Sequence, residues 1–176
     1  MSGHNKWSKI KNKKAVTDAK KSKFFSKLVR FISVESKKAG GDISAPGLRA
    51  AIEKARKENM PSDNIDRAVK KGTSSDAGQM EALTYESYGP GGSAIIIEAL
   101  TDNRNKAAAE IKHILSKNGL SLAGQGSASW AFEKEIDGWI PKTKVELSDP
   151  DLEKLDQLVD ELEENDEVQA VHTNAD

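Results

Sequence analysis

Apolar residues recur at helical spacing through the first 72 positions of the chain and at strand spacing after about position 80. From about Val16 to Lys38, Phe24, Leu28, Phe31 and Ile32 share one stripe of a helix, with Lys20, Lys23, Lys27 and Arg30 around it. Ala39-Gly40-Gly41-Asp42 should end that helix, because glycine readily takes the left-handed conformation that stops one. A second helix is expected from Pro46 to about Asn59, with Leu48, Ala51, Ile52 and Ala55 inward. Pro61 breaks it, and Ser62 reads as the N-cap of a third, short helix that buries Ile65, Ala68 and Val69. Gly72 is expected to close this helix just after Lys70 and Lys71. Residues 4–14 show no period that buries a face, so a mobile arm is expected there.

The second half changes period. Leu83–Tyr88 alternates like a half-buried strand, Gly89-Pro90-Gly91-Gly92 turns the chain, and Ser93–Leu100 reads as a central strand. Thr101-Asp102-Asn103 offers a cap for a helix from Arg104 to Asn118, which Gly119 ends. Ser127–Glu133 and Trp139–Leu147 are expected strands around an Asp137-Gly138 turn. Ser148 or Asp149 starts a last helix with Leu152, Leu155, Leu158, Val159 and Leu162 inward, and Val168–Val171 is a closing strand. The fold class is α+β: a three-helix domain with a basic arm over residues 1–76, then a ferredoxin-like two-layer sandwich with antiparallel sheet over 77–176.

Charge sharpens this division. The first 38 residues hold twelve Lys/Arg against Asp18 and Glu35, a net of +10, while the whole chain carries −1. Residues 1–76 carry 19 basic and 8 acidic residues, a net of +11, and residues 77–176 carry 8 and 20, a net of −12. The sign changes within the Gly- and Ser-containing stretch 72–79, which reads as a linker. So uneven a charge points to a polyanion at the N-terminal end. The candidate phosphate contacts are Lys6, Lys9, Lys11, Lys13, Lys14, Lys20, Lys21, Lys23, Lys27 and Arg30. Trp7 either stacks on an exposed base or tucks against the helical domain. Eleven of the twelve cations are lysine, which favours backbone charge over bidentate base readout.

The remaining chemistry is excluded more than indicated. The absence of cysteine rules out disulfides and thiolate metal sites and suits a reducing cytosol. No run approaches the ~18 apolar residues of a membrane span. The N-terminus lacks the apolar core of a secretory signal, so a cytoplasmic protein is expected. YGPGG at 88–92 lacks the Gly-Lys-Ser/Thr of a phosphate loop and is read as a hairpin turn. His4, His113 and His172 have no metal-ligand spacing and no G-x-S-x-G motif occurs, so a non-enzymatic protein without metal or cofactor is expected. The acidic helix near 149–167 is a solvated face, or one that repels nucleic acid or meets a basic protein.

The blocks GHNKWSKIKNKKA, LRAAIEKARKENMPSDNIDRAVKKG, YESYGPGG, LTDNRN and KNGLSLAGQGSASWAF, in this order, resemble the YebC/PmpR family. Its bacterial members are usually described as transcriptional regulators, and a mitochondrial relative is a translational activator. The resemblance implies a regulatory factor that binds DNA or ribosomal RNA, the latter with the ribosome as partner; with no dimer element evident in the sequence, a monomer is expected. It also implies a departure: family members carry a further α/β domain where this chain has only about residues 134–138. The alternative is a protein-interaction adaptor working through the acidic domain.

Overall fold

The computed structural model describes residues 6–13, 18–75, 80–136 and 138–176, without the side chains of Ser8, Lys11, Asn12, Lys13 and Ala19. The described residues cluster into two compact units. One contains the three helices between residues 16 and 81, and the other joins the N-terminal helix to residues 82–176.

In the helical unit, α2 (Asp18–Ala39), α3 (Pro46–Lys57) and α4 (Ser62–Thr73) enclose a core of Leu28, Ile32, Leu48, Ala51, Ile52, Ala55, Met60, Ile65 and Ala68. On α2 the inward stripe is Phe25, Leu28, Val29 and Ile32, the i, i+3, i+4, i+7 set. Phe24 falls outside that set and is exposed, contrary to expectation. Gly40 and Gly41 end α2 at φ of 61° and 82°, where the Gly41 N–H donates to the Ser36 carbonyl at 2.9 Å. Ser62 is the first helical residue and not the cap. Pro61 holds that place, and its carbonyl accepts from the N–H groups of Asn64 and Ile65.

Gly72 differs more instructively. The helix runs on to Thr73, so Gly72 is not its terminator. It marks the place where α4 crosses α2: a Cβ built there would lie 2.4 Å from the Ser33 carbonyl oxygen and 2.6 Å from Ser36 Cβ. Ser36 Oγ donates to the Val69 carbonyl at 2.7 Å and ties the two helices, while the single Ser33 hydroxyl proton lies between the Val29 carbonyl at 2.9 Å and the Ala68 carbonyl at 3.1 Å.

In the second unit, β1 (Glu81–Tyr88), β2 (Ala94–Thr101), β3 (Leu122–Ala123) and β6 (Val168–Thr173) form one antiparallel sheet in the order β3-β1-β2-β6. The two central strands, β1 and β2, are joined by a hairpin through Pro90–Gly92, and β3 and β6 flank them. α5 (Arg104–Lys117) and α6 (Asp149–Glu164) cover one face, burying Ile95, Ile97, Ala99, Ile111, Leu115 and the five expected α6 residues together. Asn103 caps α5 by accepting from the Lys106 N–H, and Ser148 caps α6 by accepting from the Asp151 N–H.

Two expected strands are shorter than the pattern suggests. Ser127–Glu133 begins as a turn and a short 3-10 segment, and only β4 (Phe132–Glu135) is extended; it pairs with β5 (Gly138–Pro141), which stops well before Leu147. The edge strand beside β1 is instead the two-residue β3. The β4–β5 ribbon packs Phe132 and Trp139 with Ala128 and Ala131 against Ala94 and Ile96 of β2. Both faces of β2 are therefore covered, and its uninterrupted apolar run follows.

Candidate nucleic-acid interface

The N-terminal residues form a helix, α1 (Lys6–Lys13), where an arm without a buried face was expected. Trp7 and Ile10, one turn apart, pack against the core between the sheet and the helices α5 and α6. Trp7 is half-buried there, in the α+β unit and not against the helical one. Lys6 Nζ lies 3.2 Å from Asp149 Oδ1, at the first residue of α6, where a carboxylate also favours the helix dipole. Lys9 is exposed. The side chains of Lys11 and Lys13, and all of Lys14, lie outside the described residues.

On α2 the candidates separate. Lys20 and Lys21 are exposed, Lys23 and Arg30 are half-buried, and Lys27 is 8% exposed. Lys27 is therefore the one candidate with a described side chain that is buried as a residue. Further cations, outside the candidate set, are exposed on the same unit. Lys37 and Lys38 end α2, Arg49, Lys54, Arg56 and Lys57 project from α3, and Lys70 and Lys71 end α4, all exposed. Each falls off the apolar stripe of its amphipathic helix, which is the signal in the sequence that marks it as exposed. Residues 18–75 carry fourteen Lys/Arg against seven Asp/Glu, a net of +7. This unit is a basic helical body, and its cations come from all three helices.

The α+β unit has the opposite sign and a different local feature. Glu86 on β1 is 6% exposed, and its carboxylate accepts from the backbone N–H groups of Gly126 at 2.7 Å, Ala128 at 2.9 Å and Ser129 at 2.6 Å. Burial raises its pKa, but these three N–H groups and the Ser129 hydroxyl outweigh burial and hold the carboxyl below its ordinary value. The loop so fixed presents Trp130, 53% exposed, whose indole N–H donates to the Tyr88 hydroxyl at 2.9 Å; that hydroxyl donates in turn to the Ser127 carbonyl. Sequence reasoning took Ser127–Glu133 for a strand and so missed this aromatic pair.

Together these features define a two-unit α+β protein whose basic helical part and acidic sandwich carry opposite charge. The model of the TACO1/YebC protein N-terminal domain matches residues 5–75, and that of the TACO1/YebC second and third domain matches residues 80–136 and 135–175. The chain belongs to the TACO1/YebC family. It is 49% identical over 173 residues to a probable transcriptional regulatory protein of Fervidobacterium nodosum, covering 96% of this chain and 68% of that protein. A probable transcriptional regulatory protein of Thermotoga petrophila is 52% identical over 157 residues, covering 88% of this chain and 60% of the relative. The chain thus spans about two thirds, or somewhat less, of the length of these curated relatives. The crystal structure of a conserved hypothetical protein from Aquifex aeolicus superposes with a TM-score of 0.81 at 31% identity, covering 97% of this chain and 96% of that one. No helix among the described residues is long and apolar enough to cross a membrane.

Proposed function

We propose that this chain is a non-enzymatic, cytoplasmic regulatory factor of gene expression that binds nucleic acid through the phosphates, as a monomer. The observation that carries the reading is the basic helical body: cations exposed on α2, α3 and α4 over a well-packed core, in a chain whose residues 77–176 carry −12. Lysines predominate, so contacts to the backbone supply affinity and little base readout. The names of its relatives favour a DNA target and transcription. The lysine-rich surface suits ribosomal RNA equally, and with it a role on the ribosome. The chain is a short form of the family in which β4 and β5 join directly, where longer members carry a further domain.

Anisotropy of labelled duplex DNA and of a ribosomal RNA fragment, titrated with the full chain across a salt series, tests this. Affinity should fall steeply and linearly in the logarithm of salt concentration, with a slope near −0.9 per phosphate neutralised on duplex DNA. Absence of binding at about 50 mM salt overturns the reading. Crosslinking in cells with sequencing then separates promoter DNA from ribosomal RNA. A second reading, a protein-interaction adaptor, is favoured by the exposed and hydrogen-bonded Tyr88–Trp130 pair on the acidic unit. It gains if charge reversal at Lys20 and Lys21 leaves cellular partners and phenotype unchanged.

A further inference from the structure

Along the seam where α4 lies against α2 runs an open groove of about 290 Å3, lined by Val29, Asn64, Arg67, Ala68 and Lys71. Its floor is apolar, and its volume is at the lower end of small-molecule sites, enough for one planar group and too small for a peptide or a duplex strand. Arg67 forms one wall. Its Nη2 donates to Asn64 Oδ1 at 2.8 Å and its Nε to the Asp63 carbonyl at 3.3 Å, so the planar guanidinium is held along the helix at the edge of the groove, on an exposed residue. Lys71 stands one helical turn further on, at the cationic end of α4.

A planar cation held by its own helix, an apolar floor and a second cation a turn away are the parts needed to seat one unpaired base and its phosphate. Bases splayed out of a duplex are stacked on arginine planes and apolar side chains, and folded RNA supplies them in bulges and loops. We infer that this groove receives a single unpaired nucleotide of a folded RNA, the base against Arg67 and Val29 and a phosphate toward Lys71. The inference rests on the nucleic-acid reading above and narrows it: the basic surface attracts any duplex, and the groove selects RNA that presents an extrahelical base.

The test uses the full chain and three fluorescein-labelled RNA hairpins of equal length: fully paired, with one bulged 2-aminopurine, and with an abasic residue at the bulge. The bulged-base hairpin should bind about tenfold more tightly than the other two, with a change in 2-aminopurine emission on binding. Arg67→Lys keeps the charge but loses the plane, and should bring the bulged and paired hairpins to within twofold of each other. Circular dichroism confirms that the variant is folded. Equal affinity for the three hairpins in the unaltered chain overturns the inference while leaving phosphate binding intact, as does a preference that the abasic bulge shares or that Arg67→Lys retains. Failure to bind any of the hairpins at low salt removes the nucleic-acid reading itself, and this inference with it.

Discussion

Replacing Gly72 by alanine reverses the usual sign of a glycine-to-alanine change in a helix. At an exposed helical position alanine is favoured by about 1 kcal/mol, through lower backbone entropy in the unfolded chain. At Gly72 the added Cβ would lie 2.4 Å from the Ser33 carbonyl oxygen, 2.6 Å from Ser36 Cβ and 2.9 Å from Ser36 Oγ. The first of these atoms is backbone and the second is fixed to it, so no rotamer change relieves the clash. The two helices must separate by roughly 1 Å to restore ordinary contact distances. Separation costs about 1–3 kcal/mol in overpacking strain. It also stretches the bond from Ser36 Oγ to Val69 O, worth about 1 kcal/mol, while Ser33 Oγ keeps the Val29 carbonyl of its own helix as acceptor. Set against the propensity gain, the net is about 1–3 kcal/mol of destabilisation. For a helical unit of this size each kcal/mol moves Tm by about 4–8 °C, so a fall of at least about 4 °C is expected in its thermal transition by far-ultraviolet circular dichroism. A variant as stable as the original, or more so, would show that the α2–α4 crossing is looser than described and refute the reasoning.

Other expectations follow from single contacts. Glu86→Gln removes the charge that three backbone N–H groups share and turns a donor toward them, so about 2–4 kcal/mol should be lost at pH 7 by urea unfolding. The Glu86 carboxyl is held below its ordinary value of 4.5 in the folded state, so its contribution is complete above that pH and fades as pH falls through the lower folded value. The gap between Glu86→Gln and the original should therefore narrow only below about pH 4.5, and a constant gap would deny the charge its role. Trp7→Ala should strip hydrogen-exchange protection from the α1 amides, because an eight-residue helix does not persist without packing. Lys6→Ala should leave that protection nearly unchanged, since its partner Asp149 is 82% exposed and such pairs contribute under about 1 kcal/mol.

Much of this architecture is legible in the residue pattern, because the amphipathic stripes of α3, α5 and α6 coincide with buried sets that the structure confirms. What escaped has a common physical origin. Trp7 and Ile10 make a stripe of only two residues, too short to register as a period, yet two anchors suffice when a formed core receives them. Gly72 resembles a helix stop in sequence because a stop and a close helix crossing both call for a missing Cβ; only the Ser33 backbone across the seam tells them apart. Ser127–Glu133 alternates like a strand, but the Glu86 carboxylate from β1 captures the N–H groups that a strand would have paired. Lys27 was indistinguishable from Lys23 by charge or spacing, and burial alone separates them.

The β4–β5 ribbon explains how so short a connection satisfies this fold. The two matches to the family's second and third domain model meet at residues 135–136, in the middle of the ribbon. Phe132, at the base of the ribbon, and Trp139, one residue from its turn, lie on the second face of β2, and the Lys142 N–H donates to the Ala131 carbonyl at 2.9 Å. Asn174 then ties the exit, donating from its side-chain amide to the Thr143 carbonyl while its Oδ1 accepts from the Ala94 N–H. The tip contributes little to this, with Ile136 84% exposed. Loop closure depends only weakly on length once both ends are fixed, so the same base can be closed by a tight turn or by a long excursion at modest entropic difference. Cover for Ala94 and Ile96 therefore needs only residues of the ribbon and the loop before it, Ala128, Ala131, Phe132 and Trp139, and the acidic sandwich keeps its core in a chain shorter than its relatives.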